Sequence, residues 1–271
     1  MSKLPVRPPA VAGQFYPGNA DDVRRMIQEY MDDAALPENL GNVHAVIAPH
    51  AGYIYSGPVA GYAFKALQTK VLAAPSHKEW TIFLLGPAHR VYFHGVALGS
   101  YSAFRTPLGD VPIAVDRVAE MVARSPLYIR APEAHGPEHC LEVEVPFLQL
   151  AVQDFRLVPM LFGEVDPLEV AADLADHVGE DDLIVVSNDL SHFYPYDRAQ
   201  QLDHSLLEAL LAGDEVGVLA GEACGRAPVA TLMGIARRKG WSPHLLDYRT
   251  SGDTAGDKWQ VVGYASVAYT N

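Results

Sequence analysis

"VIAPHAGYIYSGPVAG", residues 46–61, decides the fold. The apolar run Val43–Ala48 reads as a buried strand, and it stops on Pro49. His50 follows at once, with Gly52, Tyr53, Tyr55 and Gly57 crowding the next positions. Pro58 sits where a first helical position belongs, which predicts a helix from there to about Gln68. The alternation recurs along the chain. Strand-like runs at 43–48, 81–86, 95–99, 157–162, 183–188, 244–248 and 260–269 are interleaved with helical patterns. The helical patterns lie at 20–33, 115–124, 143–154, 167–178, 198–212 and 228–239. In the first of them Val23, Met26, Ile27 and Tyr30 share one face. Residues 36–42, 70–79 and 249–258 read as loops, and none resembles a linker. The expectation is an α/β fold: one domain over 1–271, with a mostly parallel central sheet flanked by helices.

Composition narrows the function classes. A chain of 271 residues with 49% hydrophobic side chains can bury a large core. No apolar stretch approaches the roughly 20 residues that span a bilayer, and "MSKLPVRPPAVAG" lacks the core of a signal peptide. Two cysteines, Cys140 and Cys224, do not make a disulfide framework and fit a reducing cytoplasm. Twenty Lys and Arg against 33 Asp and Glu leave a net charge of −13, which repels nucleic acid and other polyanions.

The eleven histidines are informative through their placement. Three apolar runs end on one: "AVIAPH" at His50, "TIFLLGPAH" at His89 and "LIVVSNDLSH" at His192. Open α/β sheets bind ligands beyond the carboxyl ends of their strands. If the three strands are neighbours, three imidazoles and Asp189 converge on one cleft, with loops at 51–57, 86–94, 103–109 and 249–257 folding over it. Neutral imidazole is the commonest metal ligand and the usual proton carrier near pH 7. His44, His77, His94, His177, His204 and His244 lack this context and read as structural or exposed. In "AHGPEHCLEVEVPF" (134–147), Pro137 interrupts His135 and His139, but a helix starting near Glu138 would aim His139 and Glu142 at a common site. Cys224 precedes Pro228, a helix opening, and lies beside Arg226, so a lowered thiol pKa is expected there.

Taken together, "RPPAVAGQFYP" (7–17), "PHAGYIYSG" (49–57), "GPAH" (86–89), "PLG" (107–109), "EHCLEVEVPF" (138–147), "SNDLSH" (187–192), "CGRAP" (224–228), "YRTSGD" (248–253) and "VGYASVAY" (262–269) resemble the Memo family. Its prokaryotic members are the B protein of the AmmeMemoRadiSam system, and its fold is similar to that of the class III extradiol ring-cleaving dioxygenases. The resemblance implies a metal cleft at the strand ends, with His50, His89 and Cys224 as ligands. Asp189 and His192 would be the catalytic pair, and His139 would stand where the dioxygenases carry a further active-site histidine. Tyr53 and Tyr55 would face an aromatic or peptide-like substrate. Fe(II) is the first expectation, copper the second and zinc the third. Either Cys224 or a carboxylate would complete the ligand set, and His192 would keep the acid/base role or become another ligand. A thiolate in the third position is softer than the dioxygenase carboxylate, so ring cleavage does not follow automatically. A non-catalytic copper or iron binder, a peptide-interaction protein and a zinc hydrolase remain as alternatives. Family association adds radical-SAM and AMMECR-type proteins as candidate partners.

Overall fold

The computed structural model describes residues 4–75 and 78–271, so His77 lies outside the described residues. The first half of the chain runs β1 (Val6–Arg7), α1 (Ala20–Asp33), β2 (Val43–Ala48), α2 (Tyr53–Leu72), β3 (Trp80–Pro87), β4 (Val96–Leu98), β5 (Ala103–Thr106), β6 (Gly109–Pro112), α3 (Val115–Arg124), β7 (Tyr128–Arg130) and α4 (Pro132–His135). The second half runs α5 (Cys140–Ala151), β8 (Phe155–Phe162), α6 (Pro167–His177), β9 (Asp182–Ser187), β10 (His192–Tyr194), α7 (Tyr196–Ala212), α8 (Glu215–Ala220), α9 (Arg226–Lys239), β11 (Ser242–Thr250), α10 (Ser251–Thr254) and β12 (Val261–Thr270). No described helix is long and apolar enough to cross a membrane.

Nine strands form one sheet in the order β10-β12-β2-β9-β3-β8-β4-β7, with β11 also paired to β12. The four central strands β2, β9, β3 and β8 are mutually parallel, as their continuous apolar runs predict. The flanks are antiparallel: β12 pairs with β2, β10 and β11 in that sense, and β4 with β8. The sheet is therefore mixed, with its parallel part in the middle. Every residue of β3 and β9 is buried, so both faces of the sheet are covered. One group of helices contains α1, α2 and α5; the other contains α6, α7, α8 and α9.

Two local expectations are corrected. Helix α2 starts at Tyr53 rather than Pro58, and Pro58 lies inside it. The Phe15 carbonyl accepts from the Tyr53 N–H and so caps the earlier start. The carbonyl deprived of the Pro58 N–H belongs to Ile54, an exposed residue in the first turn of the helix. Residues 103–109, expected as a loop over the cleft, instead begin a hairpin of β5 and β6 that pairs with β1. The turn is made by Gly109, whose φ of 122° suits only glycine.

Candidate metal centre

The carboxyl ends of β2, β3 and β9 lie side by side, because β9 pairs with both of the others. Each strand delivers its histidine or acid in the residues just beyond. His50 leaves β2 after Pro49, His89 leaves β3 two residues past Pro87, and Asp189 leaves β9 two residues past Ser187. Cys224 arrives from the turn before α9. That approach depends on Gly225, since a Cβ there would stand 2.8 Å from Asn188 Oδ1 and 3.0 Å from the Ser187 carbonyl. Gly86 plays the same part on β3: a Cβ would meet Cys140 Sγ at 2.8 Å and hold α5 away.

Among the described residues, the donor atoms of His50, His89 and Cys224 lie within 4.8 Å of one another. Cys224 Sγ is 3.5 Å from His50 Nε2. Ring centroids of His50 and His89 are 5.3 Å apart, and that of His139 lies 5.4 Å from the first and 4.8 Å from the second. Two imidazole nitrogens and a sulfur in this compass fit a transition metal. A second group of donors, His89, Glu138 and His139, shares one ring with the first.

Glu138 organises that second group, and the sequence reading passed it over. Its Oε1 lies 2.9 Å from His89 Nδ1, and its Oε2 accepts the His89 backbone N–H at 2.6 Å. The Nε2 of His89 is thereby left as the nitrogen for a metal. His139 Nδ1 stands 3.1 Å from the same Oε1, within ion-pair range but off the hydrogen-bond line. Burial alone would push the Glu138 carboxyl up, but the adjoining His139 and His89, with their rings and backbone N–H groups against the carboxylate, outweigh it and hold the group well below the usual carboxylate range. The signal available in the sequence was an acid directly before His139 at a helix opening.

Asp189 is buried, accepts the His50 backbone N–H at 2.8 Å and lies 3.9 Å from His50 Nε2 through its other oxygen. Burial pushes its carboxyl up to about 6, against the pull of His192. The same burial lowers His50 well below the usual histidine range, which keeps its imidazole neutral and its lone pair free. For Cys224 the expectation is overturned. Burial, reinforced by Asp189, raises the thiol pKa, while the Arg226 guanidinium is spent on the carbonyls of Leu219 and Gly221. Without a metal the sulfur is a thiol, and a bound cation is what would draw the proton off.

A cavity of about 590 Å³ opens over these groups. His50, His89, His139, Asp189 and His192 line its floor, and Phe15, Tyr55, Phe193 and Tyr264 give it aromatic walls. Phe193 is exposed and holds φ at 62°, a left-handed conformation uncommon for so bulky a residue and typical of functional sites. Tyr53 is elsewhere: it is buried, donates its hydroxyl to the Val143 carbonyl and packs on Phe147. Glu142 also points away. It takes the guanidinium of Arg7 at 2.7 Å, the N–H groups of Ala10 and Val11, and the Tyr16 hydroxyl. Arg7 in turn donates to the carbonyls of His135 and Glu138, so the N-terminal segment fixes the approach to His139. Cys140 is buried packing. His44, stacked on Trp241, and the exposed His94 and His244 stay outside the site, as do His177 and His204.

The model of the Memo-like protein family matches residues 7–268. The chain belongs to the Memo family. It is 36% identical to a MEMO1 family protein of Methanopyrus kandleri, over 97% of this chain and 98% of that one. A MEMO1 family protein of Archaeoglobus fulgidus is also 36% identical, over 97% and 99% of the two chains. Among solved structures, an uncharacterized protein of Escherichia coli aligns with a TM-score of 0.52 at 16% identity, covering 83% of this chain and 99% of that one. That likeness is one of fold. The Memo chain thus has the α/β architecture expected from the dioxygenase-like resemblance.

Proposed function

We propose that this Memo protein is a metal-dependent redox enzyme of non-haem, dioxygenase type acting on a small aromatic or peptide-like substrate. The observation that carries the reading is the set of His50, His89 and Cys224 donors, of which the two histidines line an aromatic-walled cavity and Cys224 stands just behind them. Fe(II), or copper, would supply there the redox chemistry and the open coordination positions that oxygenation needs. The chain's own part is to hold and move protons around that centre. Glu138 fixes the His89 ring from behind. His192 faces the cavity, where it exchanges a proton with a bound substrate, and the buried Asp189 carboxyl lies beside it to balance its charge. The faces of Phe15, Tyr55, Phe193 and Tyr264 suit a flat ring.

The thiol favours a second reading. Two imidazoles and a soft sulfur also suit tight Cu(I) holding without turnover. Anaerobic purification followed by elemental analysis separates the readings at the level of the metal. Oxygen uptake by the iron-loaded protein with catechols and peptides, compared with His192→Ala, separates them at the level of turnover. Iron with His192-dependent uptake is expected; copper without uptake favours the holding reading, and zinc as the resident metal replaces both with a hydrolytic one. Radical-SAM and AMMECR-type proteins are the proposed partners, and the cytoplasm the proposed location.

A further inference from the structure

Behind His50, on the side away from the cavity, three groups meet the Ser187 hydroxyl. Its Oγ is 2.8 Å from His50 Nδ1, 2.8 Å from the Cys140 carbonyl and 2.8 Å from Glu144 Oε1. Ser187 and Glu144 are both fully buried, so water supplies none of the hydrogens. Three close approaches between electronegative atoms need three hydrogens; a bare pair at this distance sets lone pair against lone pair. The Cys140 carbonyl can give none. The remaining partners must therefore give one each: the serine to the Cys140 carbonyl, the Glu144 carboxyl to Ser187, and the imidazole through Nδ1.

We propose that Ser187 is a positioning residue that fixes His50 in its Nδ1–H tautomer and so turns the Nε2 lone pair towards Cys224 and the metal. The two ligand histidines are then oriented by different means. His89 gives its Nδ1 side to the Glu138 carboxylate, whereas His50 is held by a neutral hydroxyl in a closed network. The other oxygen of Glu144 meets no partner, as fits a carboxyl whose task in this network is to hand one hydrogen to Ser187. Glu144→Gln can supply that hydrogen from its amide and should preserve the arrangement. Ser187→Ala removes the acceptor and leaves His50 Nδ1 facing a methyl group.

The inference rests on the metal reading only for its consequence, so the test begins on the metal-free full-length chain. Long-range proton–nitrogen NMR spectra of the ¹⁵N-labelled protein near neutral pH report which ring nitrogen carries hydrogen, with His50 assigned by its loss in His50→Gln. We expect His50 as a single Nδ1–H tautomer in the wild type and in Glu144→Gln, and a mixture or the Nε2–H form in Ser187→Ala. A wild-type ring protonated on Nε2 overturns the proposal, and does so even if Ser187→Ala fails to fold. So does an unchanged tautomer in a folded Ser187→Ala protein. Zn(II) titrations then give the consequence: Ser187→Ala should weaken the Kd by roughly 10- to 100-fold, the usual effect of losing a group that orients a ligand. A lost tautomer with an unchanged Kd would leave the assignment of Ser187 standing and count instead against His50 as a ligand.

Discussion

Two glutamates on α5, Glu142 and Glu144, are both buried and stand two residues apart, yet they live in opposite chemistry. Glu142 receives four donors: Arg7, the Ala10 and Val11 amides, and the Tyr16 hydroxyl. Glu144 meets one serine and leaves an oxygen bare, and burial raises its carboxyl well above the ordinary range. The helical turn aims one at the incoming N-terminal segment and the other at the back of the candidate metal centre. Burial of a carboxyl therefore says little by itself; the count of donors around it decides whether it is a charged latch or a neutral hydrogen-bonding group.

The comparison can be broken at its charged side first. Arg7→Met leaves Glu142 buried with no cation, and should cost on the order of 3–5 kcal/mol in chemical denaturation. A loss below about 1 kcal/mol would mean that the amides and Tyr16 satisfy Glu142 without Arg7. The next effect is acid sensitivity on the same side. His135, whose carbonyl binds Arg7, has its imidazole pKa lowered to about 4 by burial, which outweighs its hydrogen bond to the Ala97 carbonyl. Below pH 6.5 the unfolded chain gains a proton that the native ring refuses, so stability falls as pH drops towards 4. This group contributes on the order of 3 kcal/mol over that window. His135→Gln should flatten the curve there, as read from denaturation midpoints between pH 4 and 7.

Glu144 should respond in the reverse direction. Its raised carboxyl stays protonated in the native state while the unfolded chain ionises above about 4.5, so this group withdraws stability as pH rises into the neutral range. Glu144→Gln should remove that slope without a change in fold. Denaturation midpoints that fall equally with pH in both proteins would show that the carboxyl is ionised in the native state. The smallest effect is expected in the metal site itself: Glu144→Gln should bind Zn(II) nearly as the wild type does, by titration.

The central strands were legible because a strand buried on both faces needs an unbroken apolar run, and 43–48, 81–86, 157–162 and 183–188 each supply one. The β5–β6 hairpin was not, since Arg105 and Asp110 face solvent as an ion pair and leave no apolar pattern. His50 and His89 could be read from their places after strands. The position of Cys224 before a helix suggested a lowered thiol pKa that burial reverses, and only the family resemblance placed it with the two histidines. Glu138 and Ser187 could not be read in the same way, because their roles come from what they touch across 49 and 137 residues of chain. Tyr53 was misplaced for a related reason: the early start of α2 turns it inward, and of the pair Tyr53 and Tyr55 it is Tyr55 that reaches the cavity.

The strand β12 sits between β2 and β10, and the segment that runs from Asp189 into β10 at His192 is tied to it. The Leu190 N–H donates to the Gly263 carbonyl, and the Gly263 N–H donates to the Ser191 carbonyl. Histidines from the first third of the chain are thus matched with an acid and a histidine that the last strand helps to hold in place. During synthesis, two of the candidate metal ligands, His50 and His89, emerge long before the strand that completes the pocket. The order of the strands thus delays the finished pocket until β12 has been made.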